Sequence, residues 1–256
     1  MQRSAALPPR QGLQLLGVFP LLAHSVVLGK TDHALVGRTG KRLFFVFRII
    51  TRSAHIDKSY AIWRGLPRRA GLCYDGGGKG GTFMLLIRDP TPEDAARLLE
   101  IYGPYVENTA ISFECETPAL EEFQSRIRTI SAHYPYLVLE EDREIAGYAY
   151  AGVFKARAAY SRSCEVTIYL DPHMHKRGMG RMLYEALERR LKAQGILNLY
   201  ACIAWPIVPD ETLSTNSADF HAHMGYTRVG EFHCCAYKFG RWYSMIWMEK
   251  FIGEHD

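Results

Sequence analysis

Apolar residues recur with two different periods along residues 84–256, and the switches between them predict an alternation of strands and helices. Leu85-Leu86-Ile87-Arg88 reads as a strand, and Thr91-Pro92-Glu93-Asp94 as a helix start with Thr91 as cap and Pro92 in the first turn. Ala95, Leu98, Leu99 and Tyr102 then give one buried helical face. A second start at Thr117-Pro118 leads into Leu120, Phe123, Ile127 and Ile130, again one face of a helix. Residues 136–140 and 145–150 read as two strands joined by the charged turn Glu141-Asp142-Arg143-Glu144, hence an antiparallel hairpin.

The middle of the chain carries the most informative stretch. Val166, Ile168 and Leu170 alternate with Glu165, Thr167 and Tyr169, so one set is expected in a core and the other toward a cleft. Asp171-Pro172 ends that ladder, because proline has no N–H to give it. Met179, Met182, Leu183, Ala186, Leu187 and Leu191 then follow a helical period up to Gly195. A strand over 197–203, a helix over about 214–224 and two closing strands, about 226–236 and 241–250, complete the order β, α, α, β, β, β, α, β, α, β, β.

Charge divides the chain in two. Residues 1–83 hold thirteen Lys or Arg, three Asp and no Glu, leaving eighteen basic and twenty-four acidic residues for 84–256. The net charge of +4 is therefore a basic first segment of +10 (13 − 3) set against an acidic remainder of −6 (18 − 24), and does not by itself argue for nucleic acid as a partner. Residues 1–83 show no sustained period and are expected to be an irregular, basic N-terminal extension, either disordered or not part of the native protein. Lys79-Gly80-Gly81 can be encoded by a purine-rich ribosome-binding element just ahead of Met84, so Met84 is the expected physiological start. The apolar run 11–29 contains Gln11, Gln14, Pro20 and His24 and makes a poor membrane span. Six cysteines without C-x-x-C spacing fit reduced thiols and a cytoplasmic location.

Between the strand ending at Leu170 and the helix beginning at Met179 lies His175-Lys176-Arg177-Gly178-Met179-Gly180-Arg181. Two glycines at a helix start let backbone N–H groups approach an anion, and the basic side chains add charge. A solvated turn before a core helix is the alternative. The stretch resembles the R/Q-x-x-G-x-G/A pyrophosphate loop of the GNAT superfamily of N-acetyltransferases, with His175 in place of the usual Arg or Gln. The element order over residues 85–255 is also that of the GNAT fold, a mixed central sheet flanked by helices. Within that superfamily the chain is most similar to the phosphinothricin and methionine sulfoximine acetyltransferases. The blocks that carry this likeness are Asn108 to Phe113, Tyr134 to Val138, Ala149 to Tyr160, His221 to Tyr226 and Tyr237 to Trp242.

The resemblance implies acetyl-CoA as co-substrate, no metal, a small-molecule amine as acceptor, and neither nucleic acid nor membrane as partner. A homodimer is a candidate assembly. Glu165 matches the family's acidic residue and is the expected general base, against the alternatives of an exposed strand carboxylate or a salt bridge to Arg162. His221 stands where the phosphinothricin group has histidine, and is expected to protonate the leaving thiolate or hold substrate, with a bound water as the alternative acid. Ile168, Leu170 and residues 175–181 are implied in coenzyme binding. Asn216 and Ser217 are implied there too, or else cap the last helix. Lys155, Arg157 and Tyr160, with Phe113, match the pocket that holds an acidic amino-acid analogue. The imidazoles of His221 and His223, two apart on a helix, face different ways, and the loop pair His173/His175 lacks an obvious third ligand, which argues against a metal site.

Overall fold

The computed structural model describes the backbone of residues 34–39, 42–48, 59–62 and 72–75, and residues 84–174 and 178–255 with their side chains. All of these belong to one unit spanning His33–Asp256. Residues 175–177 of the glycine loop lie outside the described residues.

In the first segment the described backbone forms four short strands, β1 (Ala34–Thr39), β2 (Arg42–Arg48), β3 (Ser59–Ile62) and β4 (Leu72–Asp75). They pair antiparallel in succession, and β4 pairs with β5 (Met84–Arg88). Main-chain bonding between neighbouring short runs needs no sustained side-chain period, which is why a periodicity argument passes over them.

From β5 onward the elements follow the expected order. A 3-10 turn, Pro92–Asp94, feeds α1 (Ala95–Glu107), and α2 (Leu120–Ser131) follows. The hairpin β6 (Tyr136–Glu141) and β7 (Glu144–Val153) turns at Asp142 and Arg143, whose φ angles of 49° and 79° place both in the left-handed region. Next come β8 (Ser163–Leu170), α3 (Met179–Ala193), β9 (Asn198–Trp205), α4 (Asn216–His223), β10 (Thr227–Lys238) and β11 (Arg241–Phe251). The strand order ends β5-β6-β7-β8-β9-β11-β10, and only β8 and β9 run parallel among neighbours.

Two apolar layers sandwich the centre of the sheet. Val166, with Leu183, Leu187, Leu199 and Ile203, joins the core under α3, against which Ile168 and Leu170 pack. Ile101, Tyr102, Phe123, Ile127 and Tyr148 form the core under α1 and α2, and Tyr169 packs against it. Both faces of β8 are therefore lined, and the alternation of Glu165, Thr167 and Tyr169 does not face an open cleft along its whole length. The opening lies elsewhere, within the plane of the sheet.

Candidate active site

Strands β8 and β9 stay in parallel register over only three pairs, the last being Glu165 with Tyr200, whereas β8 stays paired with β7 as far as Leu170. Beyond Glu165 the two strands part. The edge of β8 over residues 166–170 that would face β9 is left without a strand partner. A cleft opens there, walled by residues 166–169 of β8, 201–204 of β9, Tyr184 of α3, and Ser217 and His221 of α4. Free backbone groups along one wall of a partly buried slot suit a ligand that itself carries amides.

The helix that begins beside this slot has an exposed glycine as its cap. Gly178 has φ 76°, a left-handed value that glycine adopts without a Cβ clash. Its carbonyl accepts from Met182 N at 3.1 Å, so the N–H groups of the first turn remain for a ligand. Gly180 has a different reason to be glycine: a Cβ there would meet Phe220 of α4 at 3.0 Å and Leu170 at 3.5 Å. Its missing side chain lets α3 approach α4. Arg181 is exposed on the same turn.

The turn out of β8 is held by residues that sequence reasoning missed. Asp171 is buried, pairs with Arg97 of α1, and accepts from His173 N at 2.8 Å, while its own N–H donates to Ala146 O at 2.8 Å. The Tyr105 hydroxyl donates to Leu170 O at 2.6 Å. The Asp-Pro pair was legible as a strand stop; its partners on α1 were not. Lys238, on β10, is buried and donates to the carbonyls of Val106, Thr109 and Ser112 at 2.7, 2.9 and 2.7 Å. It thereby fixes the segment after α1 that carries Ile111 of the cleft wall and Phe113.

Glu165 is half-buried, and the pair with Arg162 weighed as its alternative is not formed among the described residues. Burial pushes its carboxyl above the ordinary glutamate range, and the charge of Lys155 works against that shift. Lys155 itself sits over aromatic rings, its Nζ 4.9 Å from the centroid of Phe154 and 5.5 Å from that of Trp247. Arg157 is exposed and opens the 3-10 turn Ala158–Tyr160, and Tyr160 packs edge-on against Phe154. Phe113 lies on another side, against Ala110, Ala204, Leu213 and Tyr243.

His221 is 4% exposed and both its ring nitrogens are engaged. Nδ1 lies 2.7 Å from Ser217 O, which can only accept, so Nδ1 carries a proton. Nε2 lies 2.9 Å from the Tyr184 hydroxyl, and in the neutral ring it accepts from that hydroxyl. Burial lowers the pKa of His221, partly offset by the bond to Ser217, which favours the neutral form near neutrality. Tyr184 was not singled out by sequence. Asn216 is exposed at the start of α4, whose cap is Thr215, and Ser217 reaches the cleft.

A mixed sheet with a parallel pair that parts at its centre, next to a glycine-capped helix start, makes a slot suited to an extended, amide-bearing ligand. The sequence profile described as Acetyltransferase (GNAT) domain matches residues 87–247, and the chain belongs to the GNAT family of N-acetyltransferases. The phosphinothricin N-acetyltransferase of Streptomyces viridochromogenes is 34% identical over 167 residues, covering 64% of this chain and 87% of that protein. The L-methionine sulfoximine/L-methionine sulfone acetyltransferase of Pseudomonas aeruginosa is 30% identical over 166 residues, covering 64% and 92%. Among solved structures, a phosphinothricin acetyltransferase from Sinorhizobium meliloti in complex with AcCoA superposes with a TM-score of 0.60 at 31% identity, over 65% of this chain and 88% of that one. No described helix is long and apolar enough to cross a membrane.

Proposed function

We propose that the protein transfers an acetyl group from acetyl-CoA to the amino group of a small amino acid or a close analogue of the phosphinothricin or methionine sulfoximine type, with Glu165 as general base. The observation that carries this reading is the position of Glu165 at the last residue of β8 paired with β9, next to Val166, the first residue of the cleft wall. An alkyl amine must lose a proton before it attacks a thioester, and a carboxylate whose pKa is raised by burial is better matched to that task than a free one.

Around that base the remaining roles follow from chemistry. The first-turn amides of α3, with Arg181 and the basic residues of the loop, suit a diphosphate. The open edge of β8 near Ile168 suits the amides of the pantetheine arm and offers N–H groups to the oxyanion that forms on the thioester carbon. Because the Nδ1 proton of His221 is given to Ser217, a water is the better-placed donor for the departing thiolate, and His221 serves to hold the wall of the slot. Lys155, Arg157 and Tyr160 bring positive charge and a hydroxyl to the acceptor's carboxylate side. Exposed Phe232, Tyr237 and Trp242 on the β10–β11 hairpin support a homodimer, which sedimentation would test.

The deciding experiment is Glu165→Gln. Turnover should fall by about 10²–10⁴-fold with acetyl-CoA binding by calorimetry nearly unchanged. An unaffected rate would remove the assignment.

A further inference from the structure

Four aromatic side chains from four separate segments meet beside Glu165. Tyr200 is the residue directly opposite Glu165 in the parallel register of β8 and β9, so the two side chains project from the same face of the sheet. The ring of Tyr200 stacks on Phe154, at the end of β7, with centroids 4.1 Å apart and planes 15° from parallel. Trp247 of β11 meets Phe154 edge-on at 5.5 Å, and Tyr160 does so from the other side at 5.7 Å. None of the four is fully buried, and Tyr160 is 38% exposed. None of the four belongs to the core under α3 or to the one under α1 and α2.

Lys155 joins this shelf to the base. Its ammonium lies over Phe154 and Trp247 and is close enough for its charge to act on Glu165. An α-amino acid with its amine at Glu165 and its carboxylate toward Lys155 has two of the four substituents on Cα fixed. Its side chain can then lie against the ring of Tyr200 and beside that of Trp247, with Phe154 backing them, since one face of Phe154 is stacked on Tyr200 and Lys155 lies over the ring. The faces of aromatic rings carry negative partial charge, so they attract flat, apolar or cationic groups and disfavour a second anion.

We propose that Tyr200, Phe154 and Trp247 bind the acceptor's side chain, and that the acceptors favoured by this chain are α-amino acids with an aromatic side chain rather than acidic ones. The inference rests on the reading of Glu165 as the base, and at that same site it replaces the acidic, phosphinothricin-type acceptor with an aromatic one. Aromatic pairs contribute beyond the area they bury, and the loss of even one well-fitted group in an apolar pocket changes discrimination by about tenfold or more.

The test compares kcat/KM for L-phenylalanine, L-alanine and phosphinothricin, with acetyl-CoA as donor and the full chain as enzyme. Phenylalanine should exceed each of the others by about tenfold or more. In Trp247→Ala and, on a different strand, Tyr200→Val, the phenylalanine-to-alanine ratio should fall by about tenfold. Both acceptors are measured on the same preparation, so the ratio is insensitive to a fraction of misfolded enzyme. Phosphinothricin as the better acceptor, or ratios unchanged in both variants, would overturn the shelf while leaving the acetyltransferase reading intact. Unchanged ratios together with a dimer that dissociates in Trp247→Ala would reassign these rings to a subunit contact. Absence of turnover with every amine, in protein that does not bind acetyl-CoA, would overturn the parent reading and this inference with it.

Discussion

The Tyr184 hydroxyl, on α3, lies 2.9 Å from Nε2 of His221, on α4, and the bond is buried at the back of the cleft. It ties the helix whose start faces the proposed diphosphate to the helix that carries Ser217. It also occupies the imidazole nitrogen that would otherwise be the first candidate for proton transfer.

Tyr184→Phe removes that donor while keeping the ring. A buried nitrogen left without its partner should cost about 1–3 kcal/mol of stability. The pKa of His221 should rise, because the lost bond favours the neutral form. Thermal unfolding and an NMR titration of the His221 ring carbons measure the two effects; an unmoved titration would show that the hydroxyl does not hold the ring.

The pH dependence of kcat/KM should report Glu165. The base works only when ionised and burial raises its pKa, so activity should climb with pH through a value above the ordinary glutamate one of about 4.3. Since the charge of Lys155 lowers that value, Lys155→Met should move the acid limb to higher pH, whatever it does to acceptor binding. A limb that stays in place would mean that another group is titrating.

Gly147, on β7, is opposite Leu170 in the ladder, and a Cβ there would fall 2.8 Å from Tyr169 O and 2.5 Å from Leu170 Cδ2. The carbonyl is backbone and cannot turn aside, so Gly147→Ala should push β7 and β8 apart just before the diphosphate loop. A loss of about 1–3 kcal/mol in chemical denaturation, with a raised KM for acetyl-CoA, is the expected outcome. An unchanged KM would show that the loop tolerates a shift of its strand.

A protein that begins at Met84 should retain acetyl transfer, because the cleft and every side chain assigned to it lie in residues 84–256 and the family profile matches 87–247. Initial rates on that protein and on the full chain, at equal concentration of folded enzyme, make the comparison. A large loss of activity would give residues 1–83 a part in the site or in holding β5.

Much of this was written locally in the chain. Periods of two and of 3.6, together with cap and turn residues, marked β5 to β11 and α1 to α4 to within a few residues. The helix start at Gly178 was marked by two glycines after a strand, whereas Glu165 and His221 were singled out only through the resemblance to the GNAT and phosphinothricin enzymes. The tertiary structure decided what depends on neighbours far apart in sequence. It determined that β8 and β9 separate after Glu165, that Gly180 yields room to Phe220, that Tyr184 engages His221 and that Lys238 caps three carbonyls near Phe113. The short strands before Met84 also went unread, since main-chain pairing leaves little trace in side-chain periodicity. A period records which face of an element is buried, whereas a cleft arises where two elements part, and that is fixed only once the whole sheet is packed.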